Sequence, residues 1–127
     1  MLGQRLALLA AAASVLAAPT FAQPPTEVTA GRALYEAKCG GCHSVDENRV
    51  GPRHRNVVGR KVASLKDYDY SPALKRLGGV WTPDRLDSWL QGPQAMAPGA
   101  KMFFSVPDAD QRRKITAYLA SVSKPAR

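Results

Sequence analysis

Cys39-Gly40-Gly41-Cys42-His43 is the stretch that most limits what this chain can become. C-x-x-C-H is the pattern that attaches a c-type haem. Two thiols three positions apart can add to the two vinyl groups along one edge of a porphyrin. The histidine that follows then lies under the ring, where an imidazole nitrogen reaches the iron. Gly40 and Gly41 put no side chain between the two thioether links. The chain holds 2 cysteines, and both are inside the motif. A thioredoxin-like redox pair has the same spacing but belongs in a βαβ setting, of which the sequence shows none. A structural zinc wants four Cys or His ligands, and beyond the motif only His54 is available. A simple disulfide is the remaining bland reading.

Residues 1–22 read as a secretory signal peptide rather than as fold. Arg5 supplies a positive start, Leu6 to Ala18 is an apolar run, and Thr20-Phe21-Ala22 offers a small-residue cleavage site. The apolar run is 13 residues long, short of the roughly 20 that a membrane-spanning helix needs, so no stable membrane insertion is expected. Residues 23–127 then form one small domain, too short for two independent cores. Export suits the motif, because c-type haem is attached on the far side of the bacterial inner membrane. The expected location is therefore the periplasm.

Arg5 is the only ionisable side chain in the signal stretch, so the mature chain carries one unit less than the full chain's +8. Such a balance points to partners with acidic surfaces and to salt-dependent association. Nucleic acid is the other common partner of a basic chain, but the export signal and the lack of any nucleic-acid motif argue against it.

Taken in order, the mature chain is all-α with long loops. Thr29 is an N-cap candidate for a helix to Lys38, with Val28, Gly31, Leu34 and Tyr35 near one face. From Ser44 to Tyr70 no period is sustained. So long an irregular stretch in a small domain is tenable if it wraps a ligand. Ser71-Pro72 and Thr82-Pro83 each read as an N-cap followed by proline at the first helical position. Gly78 stops the first of these helices. The second carries Leu86, Trp89 and Leu90 and ends at Gly92-Pro93. Pro93 to Lys101 reads as irregular. A last helix starts near Asp108, with Gln111 as capping-box partner and Ile115, Tyr118, Leu119 and Val122 as its apolar stripe. No strand is expected. The stripes are short and the loops have no partner of their own, so the haem is expected to be required for folding.

If His43 binds iron on one face, the ligand on the other comes from Met96, Met102 or His54. Met102 is favoured because it sits on a loop rather than in a helical stripe. A methionine is otherwise an adaptable core filler.

Cys39-Gly40-Gly41-Cys42-His43, Gly51-Pro52, Val57-Val58-Gly59-Arg60-Lys61, Tyr70, Gly79-Val80-Trp81 and Pro98-Gly99-Ala100-Lys101-Met102 occur in an order that resembles class I cytochromes c, in their mitochondrial-like soluble branch. The likeness runs from Gly31 to about Leu119. It implies a small class I cytochrome c fold around one covalently bound haem c, with Cys39 and Cys42 as thioethers and His43 and Met102 as axial ligands. It further implies that the Pro52 carbonyl orients His43, that Arg60, Tyr70 and Trp81 hold a buried propionate, and that Gly31 and Tyr118 mark a helix crossing. Lys38 and Lys101 are similar to lysines that ring an exposed haem edge. Four positions depart from the family pattern. Trp89 stands for a tyrosine that reaches the Met sulfur, Ala100 for a threonine, Leu74 for an asparagine and His54 for an apolar pocket residue. The first three remove hydrogen bonds near the haem, so the Met102 segment is expected to open easily.

The function expected is one-electron transfer without substrate turnover, by a soluble monomeric carrier between respiratory redox partners. A cytochrome c reductase, an oxidase or a periplasmic dehydrogenase would each suit. A rival from the enzyme class is a peroxidase-like or gas-binding protein with His54 as a distal base. A third reading is a colourless binding module with one disulfide.

Overall fold

The first helix is already formed at Pro25, five residues before the first helical position the sequence suggested. In the computed structural model, which describes residues 25–125 together with Ser14 and Leu16, α1 spans Pro25–Lys38. The expected signal stretch, those two residues apart, lies outside the described residues. Thr29 is therefore interior to α1 and not its cap. Glu27 adds an acidic side chain to the first turn, where the helix dipole favours it.

Four further helices follow: α2 (Pro72–Leu77), α3 (Pro83–Gln91), α4 (Pro93–Met96) and α5 (Ala109–Ser121). Three of them start as the capping chemistry predicts. The Ser71 hydroxyl accepts from Leu74 N–H at 3.1 Å, Thr82 from Arg85 N–H at 3.2 Å, and the Asp108 carboxylate from Gln111 N–H at 2.8 Å. The single turn of α4 corrects the expectation of irregular chain from Pro93. Pro93 follows Gly92 as the first helical residue, and Met96 N–H reaches the Gly92 carbonyl at 3.1 Å.

The frame is the crossing of α1 and α5, the most extensive helix pair. Gly31 is buried there, and a Cβ at this position would collide with the Lys114 carbonyl. Glycine is what lets the two backbones meet. Tyr35 and Tyr118 pack beside it with ring centroids 5.2 Å apart. Ile115, Val106, Leu119, Leu86 and Leu90 fill the interior next to this crossing. Arg112 also points inward, although the apolar stripe of α5 did not include it. It is 6% exposed and bonds Asp87 at 2.8 Å and the carbonyls of Val106 and Pro107 at 3.0 and 2.7 Å.

Residues 44–70 contain no helix, as expected, and are pinned by side chains instead. Arg53 bonds Asp67 at 2.6 Å, and Arg55 pairs with Asp46. Among the described residues there is no named strand, only an isolated antiparallel bridge between Lys61 and Val80. The bridge is small but it sets register. Trp81 N–H donates to the Arg60 carbonyl at 2.9 Å, and Gly59 N–H donates to the Trp81 carbonyl at 2.7 Å. Arg60 and Trp81, distant in sequence, are thereby locked side by side.

Candidate functional site

The end of α1 delivers the cysteine motif. Cys39 and Gly40 N–H both reach the Tyr35 carbonyl, at 2.8 and 3.0 Å, and His43 N–H reaches the Cys39 carbonyl at 2.8 Å. The motif is thus one continuous tight turn growing from the helix. Cys39 faces inward and Cys42 is exposed. Burial pushes the Cys39 thiol up to about 11. The described residues around the motif are helix and loop with no named strand, so the thioredoxin-like reading lacks the βαβ setting it needs.

His43 is held by its ring. Nδ1 lies 2.8 Å from the Pro52 carbonyl oxygen, which can only accept, so Nδ1 carries the proton. The other nitrogen, Nε2, is then left with its lone pair, the form that binds a metal. Burial also lowers the pKa of the ring, keeping it neutral. Gly51 makes room, since a Cβ there would run into the His43 imidazole.

One cavity of about 450 Å³ collects the whole predicted site. Its walls include Cys39, Cys42, His43, Pro52, Arg60, Tyr70, Trp81, Trp89 and Met102. Such a volume falls within the roughly 300–1,000 Å³ typical of cofactor clefts. Trp89 is buried and meets Trp81 edge to face at 5.5 Å, so an indole forms wall where the resemblance placed a hydroxyl. Tyr70 accepts a long bond, 3.4 Å, from Leu65 N–H.

Arg60 tests whether a haem fits. Its guanidinium is half-buried and donates to the carbonyls of Arg53 and Arg55, at 3.0 and 3.3 Å. Burial lowers its pKa. It has no carboxylate partner among the described residues, and carbonyls do not neutralise a charge. A half-buried cation beside an apolar cavity is what a propionate-bearing macrocycle needs. The residues present fit the group.

The three candidates for a distal ligand are placed differently. Met102 lines the cavity on the segment after α4. Met96 packs on the core and is not among the residues lining the cavity. His54 stacks on His43, with ring centroids 4.2 Å apart and an angle of 23° between the planes. It therefore lies beside the proximal ring, which removes it both as a sixth ligand and as a distal base. Its Nδ1 is 2.9 Å from the Tyr35 hydroxyl. Burial holds its pKa well below the ordinary imidazole value, with His43 and Arg60 adding to the effect. Nothing in the sequence pattern announced this stack.

The Met102 segment is better tied than the sequence suggested. The Gln94 carboxamide donates to the carbonyls of Ala100 at 2.7 Å and Met102 at 2.8 Å, and accepts from Gly99 N–H at 3.2 Å. Lys101 Nζ donates to the Asp69 carbonyl at 2.7 Å. At the mouth of the cavity Phe103 is 80% exposed, beside Val50, Phe104, Lys38 and Lys101.

Short helices folded around one cavity, with a C-x-x-C-H turn in its wall, define a small haem-enclosing α protein. The chain belongs to the cytochrome c family, whose profile matches residues 28–123. Its cofactor is the covalently bound haem c of that family. It is 39% identical over 100 residues to "Cytochrome c-type cyt cy" of Rhodobacter capsulatus, a match covering 77% of this chain and 50% of that protein. It is 36% identical over 109 residues to cytochrome c2 of Agrobacterium tumefaciens, covering 79% of this chain and 97% of that one. The chain spans about half the length or less of several curated relatives, including 41% of a Rickettsia felis cytochrome c homolog. Among solved structures, cytochrome cH from Methylobacterium extorquens superposes with a TM-score of 0.70 at 36% identity, covering 74% of this chain and 97% of that one. The all-α class I cytochrome c fold expected from the sequence is the fold observed.

Proposed function

We propose that this chain is a one-electron carrier of the bacterial periplasm, working as a monomer without substrate turnover of its own. Cys39 and Cys42 would hold the haem as thioethers, and His43 Nε2 and the Met102 sulfur would bind its iron. Bound there, the haem supplies a reversible one-electron iron couple. With His43 and Met102 both on the iron, no site would remain for a substrate, and transfer would be outer-sphere. Pro52 fixes the His43 ring. Arg60, Tyr70 and Trp81 receive the inner propionate, and Trp89 covers the ring.

The observation that carries this reading is the convergence of these nine residues on one cavity, with His43 Nε2 left as a free lone pair. A thioether ligand favours the ferrous state and raises the potential. Lys38, Lys101 and the exposed Val50 and Phe103 at the mouth suit brief docking on an acidic partner with an apolar centre. A cytochrome c reductase, an oxidase or a periplasmic dehydrogenase fits that description. The test is the spectrum of the purified protein in both redox states. A sharp ferrous α-band of c type, with the weak near-infrared sulfur-to-iron band in the ferric form, is the expected result. A high-spin ferrous form that binds carbon monoxide at neutral pH would reject the carrier reading.

A further inference from the structure

The segment that carries Met102 leaves α4 at Ala97 and rejoins the core at Val106, whose N–H donates to the Leu90 carbonyl at 2.8 Å. Between these points Ala100 is buried and Met102 packs on the core only in part, while Lys101, Phe103, Phe104 and Ser105 are exposed, so core packing leaves the ligand residue incompletely held. We infer that Gln94 is the positioning residue for the Met102 thioether, acting through a three-point clamp on the backbone of residues 99–102.

The geometry is specific. Gln94 Nε2 donates to the carbonyls of Ala100 and Met102, and Oε1 accepts from Gly99 N–H. The amide orientation follows from its partners: two carbonyls can only accept and an N–H can only donate, so flipping the group would break all three bonds. Both N–H groups and the oxygen are thus committed to one four-residue span. Gln94 is itself anchored, because Pro93 beside it is buried and α4 closes on Gly92 and Pro93 carbonyls at 3.1 and 2.9 Å. Trp89, Ala100 and Leu74 offer no hydroxyl or amide of their own to this segment, so the clamp supplies from α4 what those positions lack.

The inference rests on Met102 being the distal ligand. Opening of the segment then exposes the sixth position of the iron to small external ligands. The experiment uses the ferric holoprotein and imidazole as probe, following loss of the near-infrared sulfur-to-iron band. Gln94→Met keeps the volume but none of the hydrogen bonds. Gln94→Glu keeps the acceptor for Gly99 and loses both donors. Each net hydrogen bond shifts such an equilibrium by about fivefold. Both variants are expected to bind imidazole at least tenfold more tightly than the unaltered protein. Asp108→Ala, which removes the N-cap of α5, is expected to lower the thermal midpoint and leave imidazole affinity within twofold. Gln94→Met within twofold of the unaltered protein would overturn the clamp, as would an equal shift from Asp108→Ala. Absence of the near-infrared band in the unaltered protein, or its persistence in Met102→Ala, would instead overturn the ligand assignment on which the clamp rests.

Discussion

The Tyr35 hydroxyl lies 2.9 Å from Nδ1 of His54, and it is the hydrogen bond that makes a half-buried imidazole tolerable beside His43. Tyr35→Phe leaves that nitrogen without its partner, and His54→Leu strands the hydroxyl. Each single change is expected to cost about 1–3 kcal/mol. The double variant is expected to cost clearly less than the two together, because replacing both partners removes the stranded atom. Urea midpoints at constant slope measure all three. Simple additivity would show that the two groups do not depend on each other.

At the crossing of α1 and α5 the relevant contact is between backbones. Gly31→Ala would improve helix propensity by about 1 kcal/mol in an open helix. Here the new methyl meets the Lys114 carbonyl, which cannot step aside without parting the helices. A net loss of about 1–3 kcal/mol is expected, as for other overpacked sites. An unchanged or raised thermal midpoint would mean that the crossing has slack.

Arg112 is the polar residue that joins α5, α3 and the return of the Met102 segment. Arg112→Leu strands two carbonyls and the Asp87 carboxylate, which is 42% exposed and can turn to water. The buried Val106 carbonyl has no such exit, although that of the exposed Pro107 does. We expect a loss of about 2–3 kcal/mol from Arg112→Leu, and less than about 1 kcal/mol from Asp87→Asn, which leaves both carbonyl bonds in place. The reverse order in a denaturant titration would place the main contribution in the ion pair.

Much of this was legible because it is local chemistry. Ser71, Thr82 and Asp108 cap helices with their own side chains a few residues on, and no distant partner is needed. The cysteine motif likewise announces itself within five positions. The nine site residues came partly from spacing and partly from likeness to a family, and all nine line one cavity. What stayed hidden depends on partners far along the chain. His54 reads as a misplaced polar residue until Tyr35 and His43 are brought against it. Arg112 looks like a surface charge until Val106 and Pro107 turn their carbonyls toward it. Gln94 carries no signal at all, since its role exists only once residues 99–102 fold back over α4.

The cavity is expected to make folding depend on the cofactor. The walls of this cavity of about 450 Å³ are drawn from α1, α2, α3, α5, the long 44–70 loop and the Met102 segment, so few of these elements pack directly on one another there. Cys39→Ala combined with Cys42→Ala prevents both thioether links. The expected product is a chain with little helix signal and no cooperative thermal transition. A double variant that unfolds cooperatively would show that the protein core suffices without the attached group.

Acid should loosen the 44–70 loop first. Asp46 is paired with Arg55 and Asp67 with Arg53, and hydrogen bonds from these guanidinium groups lower both carboxyl pKa values. A carboxylate whose pKa is depressed by folding stabilises the fold fully above its unfolded value, near pH 4, and loses that contribution as pH falls through the folded value. Both groups are exposed, so the effect is modest and screened by salt. Asp46→Asn with Asp67→Asn is expected to be slightly less stable than the unaltered protein at pH 7. Its stability should then fall less steeply below pH 4, so that the two curves converge in acid. Thermal melts across that range, at low and high salt, provide the comparison. Parallel curves would mean that neither pair couples the loop to the fold.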